Sequence, residues 1–196
     1  MKSLILPVVF VLALAGAQAQ EKNYDITVAG VHIGDMTVQK YDSGLLSYYE
    51  IKSKVSLWLL FRIKVEYNMI SAYRGDQLVS STSETHSNKG DFKSTTKWNG
   101  KYYVVDIDAY KYKKDTTINQ PINFNAGKLY FEKPAANQLV YADNFGLLTK
   151  PDAHGNSVIV DILGNSNTYY YSGGIMSDAK MYNPLKDFRV TLASDH

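Results

Sequence analysis

The sequence contains no cysteine. Disulfides, thiolate metal sites and thiol nucleophiles are therefore all excluded. A lipoprotein anchor is excluded as well, because it requires an acylated cysteine at the mature N-terminus, so we expect that the protein is not a lipoprotein. Its stability must come from the hydrophobic core alone.

Histidine is scarce, and its spacing does not suggest a metal site. The four residues, His32, His86, His154 and His196, stand far apart and form no His-x-His or His-x-x-x-His pattern. We therefore predict no metal and no cofactor. Convergence of three histidines in the fold is the less favoured alternative.

Charge of one sign is also lacking: 21 basic residues face 19 acidic ones, and the formal net charge is +2. Such a balanced, dispersed pattern predicts no nucleic-acid partner. Asp106 and Asp108 share one strand face and could serve Ca²⁺ binding or acid–base chemistry, but an exposed strand face is favoured. Neither a Gly-x-Ser-x-Gly motif nor a phosphate loop occurs, so the sequence predicts no enzyme.

The longest apolar run, residues 4–15, is too short to cross a bilayer as a helix, which needs about 20 residues. Lys2 precedes it and small residues at 17 and 19 follow it, which is the order of a signal peptide. We predict a signal peptide at residues 1–19 and a single β domain at residues 20–196. The mature chain would have no transmembrane span and would be soluble in the periplasm or outside the cell. A buried N-terminal helix is the alternative.

Residues 47–74 alternate between mainly apolar and mainly polar or charged side chains, as in β-strands with one buried face. Their length requires a chain reversal, and the alternation stops only at five apolar residues. These are Leu57, Trp58, Leu59, Leu60 and Phe61. We predict a hairpin in which Val55 faces Ile63, because Lys52 then lies opposite Glu66.

Turn signals recur at short intervals through the rest of the chain, including the strong hairpin signal Asn99-Gly100. Residues 77–87 are predicted to form a polar, solvent-exposed strand. Residues 125–131 are the one helical candidate, with a capping Asn125. The predicted fold class is all-β: a long antiparallel meander curled into a partial barrel, with one short helix.

The alternating pattern of residues 24–38, the long hairpin at 49–73 and residues 129–134 have a familiar form. Together they resemble secreted domain-of-unknown-function families of Gram-negative envelopes, which are built as curled antiparallel sheets or partial barrels. These are distantly similar to periplasmic lipoprotein carriers, whose curled sheet holds acyl chains. The resemblance covers residues 24–192 and implies a fold, but no catalytic or binding residue.

Two sets of candidate site residues follow from the hairpin. Those predicted to face a ligand on the concave side are Ser53, Val55, Ile63, Val65, Tyr67 and Met69. The apolar tip, residues 57–61, is predicted either to contact a lipid or partner or to be covered by residues 129–131.

We therefore predict an exported, non-catalytic envelope protein that binds an apolar or amphipathic ligand, such as a lipid or apolar small molecule. The alternative is a scaffolding protein that uses a strand edge or the tip against an envelope protein partner. A hydrolase with an unrecognised site is the third hypothesis.

Overall fold

The computed structural model describes residues 19–58, 62–109, 112–184 and 186–194, so residues 1–18 of the predicted signal peptide lie outside the described residues. The first eight strands are β1 Gln20–Val28, β2 Val31–Ser43, β3 Leu46–Trp58, β4 Arg62–Arg74, β5 Gln77–Ser87, β6 Phe92–Trp98, β7 Tyr103–Ala109 and β8 Tyr112–Ile118. The remaining strands are β9 Val140–Ala142, β10 Leu147–Thr149, β11 Asp152–His154, β12 Ser157–Ile162, β13 Asn165–Ser172, β14 Ile175–Met181 and β15 Phe188–Leu192.

Thirteen of the strands form one antiparallel sheet in the order β11-β12-β13-β14-β15-β1-β2-β3-β4-β5-β6-β7-β8. The N-terminal strand β1 lies between β2 and the C-terminal strand β15, so the two halves of the chain join at its ends. The sheet curls but does not close, with β8 and β11 at its edges. The predicted all-β partial barrel is confirmed.

The long hairpin has the predicted faces but not the predicted register. From Ile51 to Leu57, odd-numbered side chains are buried or half-buried and even-numbered ones are mainly exposed. The prediction that Val55 faces Ile63 is wrong: Val55 pairs with Val65, and Lys54 faces Glu66 at 3.5 Å between Nζ and Oε1. This register also pairs opposite charges, and its last pair is Trp58 with Arg62.

The turns between strands define two ends of the barrel. At one end lie the connections β1–β2, β3–β4, β5–β6, β12–β13 and β14–β15, and we call it the mouth end. At the other lie the turns at 44–45, 75–76, 99–102 and 173–174, and we call it the packed end.

Residues 119–151 connect β8 to β11 and cross the concave side of the sheet. Their large side chains Ile122, Phe124, Leu129 and Tyr141 are fully buried. Backbone hydrogen bonds fix the crossing, since Leu78 N donates to Ile122 O at 2.8 Å. This segment fills the interior at the packed end.

The predicted helix at residues 125–131 is largely wrong, because only Lys128–Tyr130 forms a 3-10 helix. Asn125 instead pairs with Tyr141 in an isolated bridge. A Cβ on Gly127 would lie 2.9 Å from Met69 Cε, so a glycine allows the segment to approach the sheet this closely. Packing of residues 129 and 130 against the sheet occurs as expected.

Lys128 is buried among aromatic rings at the packed end. Its Nζ lies 4.3 Å from the centre of the Tyr73 ring and 5.7 Å from that of Tyr49. Glu132 approaches the ammonium group at 3.8 Å. Burial lowers the pKa of Lys128, while the rings and Glu132 offset part of its desolvation.

Candidate ligand-binding cavity

A cavity of about 580 Å³ occupies the concave side of the sheet toward the mouth end and opens to solvent. Strands from both halves of the sheet form its walls, with Ile26, Ile51, Tyr169 and Val190 among the lining residues. The lining is predominantly apolar because inward-facing positions alternate with exposed charged ones along each strand. Its inner end is formed by residues 142–145 of the crossing segment.

Five of the six predicted ligand-facing residues line this cavity: Ser53, Val55, Ile63, Val65 and Tyr67. The sixth, Met69, is fully buried and belongs to the packed core beneath the cavity. It lies outside the cavity lining because Gly127 and its neighbours pack directly against it.

Ser53 and Ser71 face the same side of the hairpin but meet different surroundings. Ser53 is half-buried and lines the cavity, between Met36 on β2 and Tyr67 on β4 in the strand register. Ser71 is fully buried, and its Oγ donates to Tyr49 O at 3.4 Å. The first serine therefore adjoins space and the second adjoins packed side chains.

Polar side chains collect at the inner end of the cavity. Ser83 Oγ lies 2.5 Å from Asn144 Oδ1 and 3.2 Å from the Tyr67 hydroxyl. Burial raises the pKa of Tyr67, so its hydroxyl stays protonated. These groups are bonded to one another, which leaves the cavity wall largely apolar in character.

Asp143 is buried beside this polar group. Its Oδ1 accepts hydrogen bonds from Ser81 Oγ at 2.5 Å and from Asn125 Nδ2 at 3.1 Å, whereas Oδ2 has no partner among the described residues. Ser94 Oγ donates to the main-chain oxygen of the same residue at 2.7 Å. Burial raises the pKa of the Asp143 carboxyl, which favours its protonated form.

The prediction that residues 77–87 form a wholly exposed polar strand is wrong. Ser81 and Ser83 are buried, because they bond to Asp143 and Asn144 of the crossing segment. The signal was present in the alternation of small serines with the larger Thr82 and Glu84. Only the position of the crossing segment shows that the serine face is the inner one.

The described histidines lie on exposed surfaces rather than in the cavity. His32 Nε2 lies 3.0 Å from Asp35 Oδ1 and 3.7 Å from Asp25 Oδ1. These ligand-type atoms all lie within 4.8 Å of one another, which sequence spacing did not indicate because β1–β2 pairing assembles them. The three side chains form an exposed cluster in which His32 lies between the two carboxylates.

The other candidates for metal or acid–base chemistry are paired separately. His86 lies 3.4 Å from Asp91, and His154 lies 2.9 Å from Asp152. Asp108 is exposed and forms an ion pair with Lys113 at 3.2 Å. His196 lies outside the described residues. The described members of this set lie apart on the surface and do not share one cleft.

The apolar tip divides between the cavity and the surface. Leu57 lines the cavity, whereas Trp58 is exposed, so residues 129–131 do not cover it. Leu59, Leu60 and Phe61 lie outside the described residues. Contact of the tip with a lipid or a partner therefore stays a prediction.

A curled antiparallel sheet, filled at one end and hollow at the other, places the protein among β-barrel-like folds. The model of the family Domain of unknown function (DUF6134) matches residues 24–193, so the chain belongs to this family. No curated protein matches the chain.

Among solved structures, the chain is similar to a beta-barrel-like protein of Domain of Unknown Function DUF1849 from Brucella abortus. The two share 11% sequence identity and superpose with a TM-score of 0.54 over 89% of this chain and 95% of the other. At this identity the likeness extends to the fold alone. Within the described residues, none of the helical structure is long and apolar enough to cross a membrane.

Proposed function

We propose that this chain is an exported, non-catalytic protein that holds an apolar or amphipathic ligand, such as a lipid or apolar small molecule, on its concave face. One observation carries the proposal: a cavity of about 580 Å³ with predominantly apolar walls and an opening at one end. Ligand sites commonly measure about 300–1,000 Å³ and are mostly apolar with a few polar groups.

The orientation of an amphipathic ligand follows from the inner end of the cavity. The polar groups there already bond to one another, and Asp143 Oδ2 is buried from solvent. An anionic head group beside Asp143 would also oppose any ionisation of this carboxyl. The apolar part of the ligand therefore enters first and its polar part stays at the mouth.

The non-catalytic part of the proposal has its support in the same cavity. The described lining contains no histidine, and its buried carboxyl accepts hydrogen bonds from Ser81 and Asn125 at Oδ1. Catalysis by a nucleophile and base needs both groups within hydrogen-bond reach of a substrate.

The location is proposed from the sequence. A charged start, an apolar run and small residues precede Gln20 in the order of an export signal. We place the protein in the envelope of a Gram-negative cell on the strength of the family resemblance. We expect the intact mass of the exported protein to equal that of a chain that starts at Gln20. A mass that includes Met1 would contradict export by this signal.

The direct test is native mass spectrometry of protein purified from its own cells, followed by binding of fatty acids of increasing length. Each buried CH₂ contributes about 0.8 kcal/mol, so affinity should rise roughly fourfold per CH₂ until the cavity is filled. Protein that carries no lipid and binds no member of the series would overturn the proposal.

A second candidate is a scaffolding function, which the exposure of Trp58 supports. A photo-crosslinker placed at Trp58 in living cells distinguishes the scaffolding function from the ligand-binding function. One reproducible protein adduct would favour scaffolding against a protein partner. Adducts to lipid would leave the ligand-binding proposal as the better account.

A further inference from the structure

The charged side chains of the cavity lining lie at its two opposite ends. Among the described lining residues, Asp143 is the one acid and Lys186 is the one cation. Asp143 lies at the inner end, where burial raises the pKa of its carboxyl and favours the neutral form. Lys186 is exposed and belongs to the β14–β15 connection of the mouth end. The charge that a ligand meets when it enters the cavity is therefore positive.

Lys186 lies at the rim of the cavity. It borders the cavity and also a groove on the outer face of the sheet, which it shares with Lys180 and Asp187. Within the described part of the chain, the ammonium group of Lys186 has no hydrogen bond or ion pair. The neighbouring acid is engaged elsewhere, since Asp187 Oδ2 pairs with Lys180 at 3.2 Å and its Oδ1 accepts from Asn183 N at 3.4 Å. The Lys186 ammonium group is thus available to a ligand.

Other acids at the mouth end lie on the outer face of the sheet. Asp25, Asp35 and Asp161 are exposed and alternate with inward-facing residues along their strands, so their side chains project away from the cavity. None of them belongs to the cavity lining. Asp25 and Asp35 lie beside His32, and Asp161 accepts a hydrogen bond from Ser166 Oγ. Charge selection inside the opening is therefore set by Lys186.

Asn167 supplies an oriented amide donor on the same side of the cavity. It lines the cavity on β13, opposite the buried Val160. Its Oδ1 accepts a hydrogen bond from Tyr182 N at 2.8 Å. Because a backbone N–H can only donate, this contact determines which end of the amide is oxygen. The Asn167 Nδ2 group, which has no partner among the described residues, therefore remains as a donor for a ligand.

We infer that the ligand is an amphiphile with an anionic head group, a carboxylate or a phosphate, which Lys186 and Asn167 bind at the opening of the cavity. Ammonium and amide N–H groups both donate hydrogen bonds to such oxygens. The apolar walls between the opening and the inner end accommodate the chain. This inference rests on the proposed ligand-binding function, and it adds the charge of the ligand and the residues that recognise it.

A cationic amphiphile is the opposite case. Its head group would have to pass Lys186 and reach Asp143, whose Oδ1 already accepts hydrogen bonds from Ser81 and Asn125. A neutral amphiphile would leave the Lys186 ammonium group without a partner. Each kind of head group therefore predicts a different order of affinities.

The test compares four amphiphiles that have the same chain and different head groups: decanoate, decyl phosphate, decanol and decylamine. Their affinities are measured at about pH 8, where the carboxylate is ionised, by displacement of the neutral fluorescent probe N-phenyl-naphthylamine. We expect both anions to bind about tenfold more tightly than decanol, because a hydrogen bond to a charged group contributes an effect of this size. Decylamine should bind more weakly than decanol. The ratio of the two anions distinguishes a carboxylate ligand from a phosphate ligand.

Substitutions identify the residues that recognise the head group. Lys186→Gln should abolish the preference for decanoate over decanol, and Lys186→Glu should favour decylamine over decanoate. The matched controls are Lys101→Gln and Lys101→Glu, which change the net charge equally at an exposed lysine of the packed end and should keep the wild-type order. Asn167→Asp retains the acceptor for Tyr182 N but replaces the donor, so it should weaken decanoate binding and leave decanol binding unchanged.

Three results would overturn the inference and leave the proposed function intact. The first is equal affinity of the wild-type protein for decanoate and decanol. The second is an equal loss of decanoate binding in the Lys186 and Lys101 variants, which would indicate an effect of net charge alone. The third is tighter binding of decylamine that Asp143→Asn abolishes, which would place the head group at the inner end. Wild-type protein that binds neither the neutral probe nor any of the four amphiphiles would instead contradict the proposed function itself.

Discussion

The two ends of the barrel share the same strands but enclose different interiors. At the packed end, Tyr103 donates its hydroxyl to Leu78 O at 2.9 Å, and Ile122 lies fully buried beside them. Toward the mouth end, the alternation continues along β3 and β4, but the side chains enclose a cavity. An inward-facing residue is therefore a core residue or a cavity residue according to what another segment places opposite it.

Asp143 and the serines that bond to it lie at the boundary between these two interiors. The crossing segment meets the sheet there through hydrogen bonds rather than through apolar contacts alone. Each hydrogen bond fixes a position along the strand, which apolar packing does less strictly. This polar boundary sets the depth of the cavity.

The largest expected effect tests whether the strands that form the cavity wall are tightly packed against each other. A Cβ on Gly34 would lie 2.0 Å from the main-chain oxygen of Lys54, so Gly34→Ala must displace β2 from β3. We expect a loss of about 3 kcal/mol in the free energy of unfolding, measured with urea. Gly44→Ala has open space and pays only for its positive φ, about 1 kcal/mol. Equal losses would contradict tight packing at the cavity wall.

The next effect compares the two serines directly. Ser71→Trp overpacks the core and should destabilise the protein by about 1–3 kcal/mol. Ser53→Trp should leave the melting temperature nearly unchanged and abolish uptake of a fluorescent fatty acid, because the indole fills the cavity. Strong destabilisation by Ser53→Trp, with no probe binding by the wild type, would rule out the ligand-binding cavity.

A smaller effect concerns the polar boundary at Asp143, where the free energy of unfolding should depend on pH. Folding raises the pKa of Asp143 above its ordinary value of 3.8, so the stability contributed by the protonated acid is complete below that value. It is lost as the pH rises through the folded-state pKa. Asp143→Asn keeps a neutral side chain, so its stability relative to wild type should increase as the pH rises.

Thermal unfolding from pH 3.5 to 8 measures this difference. The control Asp108→Asn removes an exposed carboxylate that pairs with Lys113, and its effect should stay within about 0.5 kcal/mol. A constant difference between wild type and Asp143→Asn across the range would show that the carboxyl does not titrate differently on folding.

The smallest expected effect is on stability at the exposed Trp58 of the mouth end. Trp58→Ser should change the free energy of unfolding by less than about 0.5 kcal/mol, because the side chain is mostly exposed. Urea titration gives this value directly. A loss above 1 kcal/mol would mean that Trp58 packs against the fold and would remove the support for a scaffolding contact at this residue.

The sequence predicted the fold class and most of the hairpin's cavity face because both follow from a period of two. Val55, Ile63 and Val65 were assigned to the concave side by parity alone, and they line the cavity. Parity does not show how far along the strands the cavity extends. Met69 was therefore assigned to the same site, although Gly127 packs against it. Depth is determined by the crossing segment, which is distant in sequence.

The register and the polar boundary were beyond sequence reasoning for related reasons. Two registers of the hairpin place Glu66 opposite a lysine, Lys52 or Lys54, so charge pairing did not choose between them. The burial of Ser81 depends on Asp143, 62 residues later. The alternation in β5 marks its two faces, but it does not show which face meets the crossing segment.

The pairing of β1 with β15 has a consequence for protein engineering. Ala193 N donates to Asn23 O at 2.9 Å, so the chain enters and leaves the sheet side by side, at the packed end. A short linker between Gln20 and Ser194 should therefore permit circular permutation, with new termini at the Asn99-Gly100 turn. A domain fused before Gln20 or after Ser194 would emerge at the packed end and leave the cavity opening unobstructed.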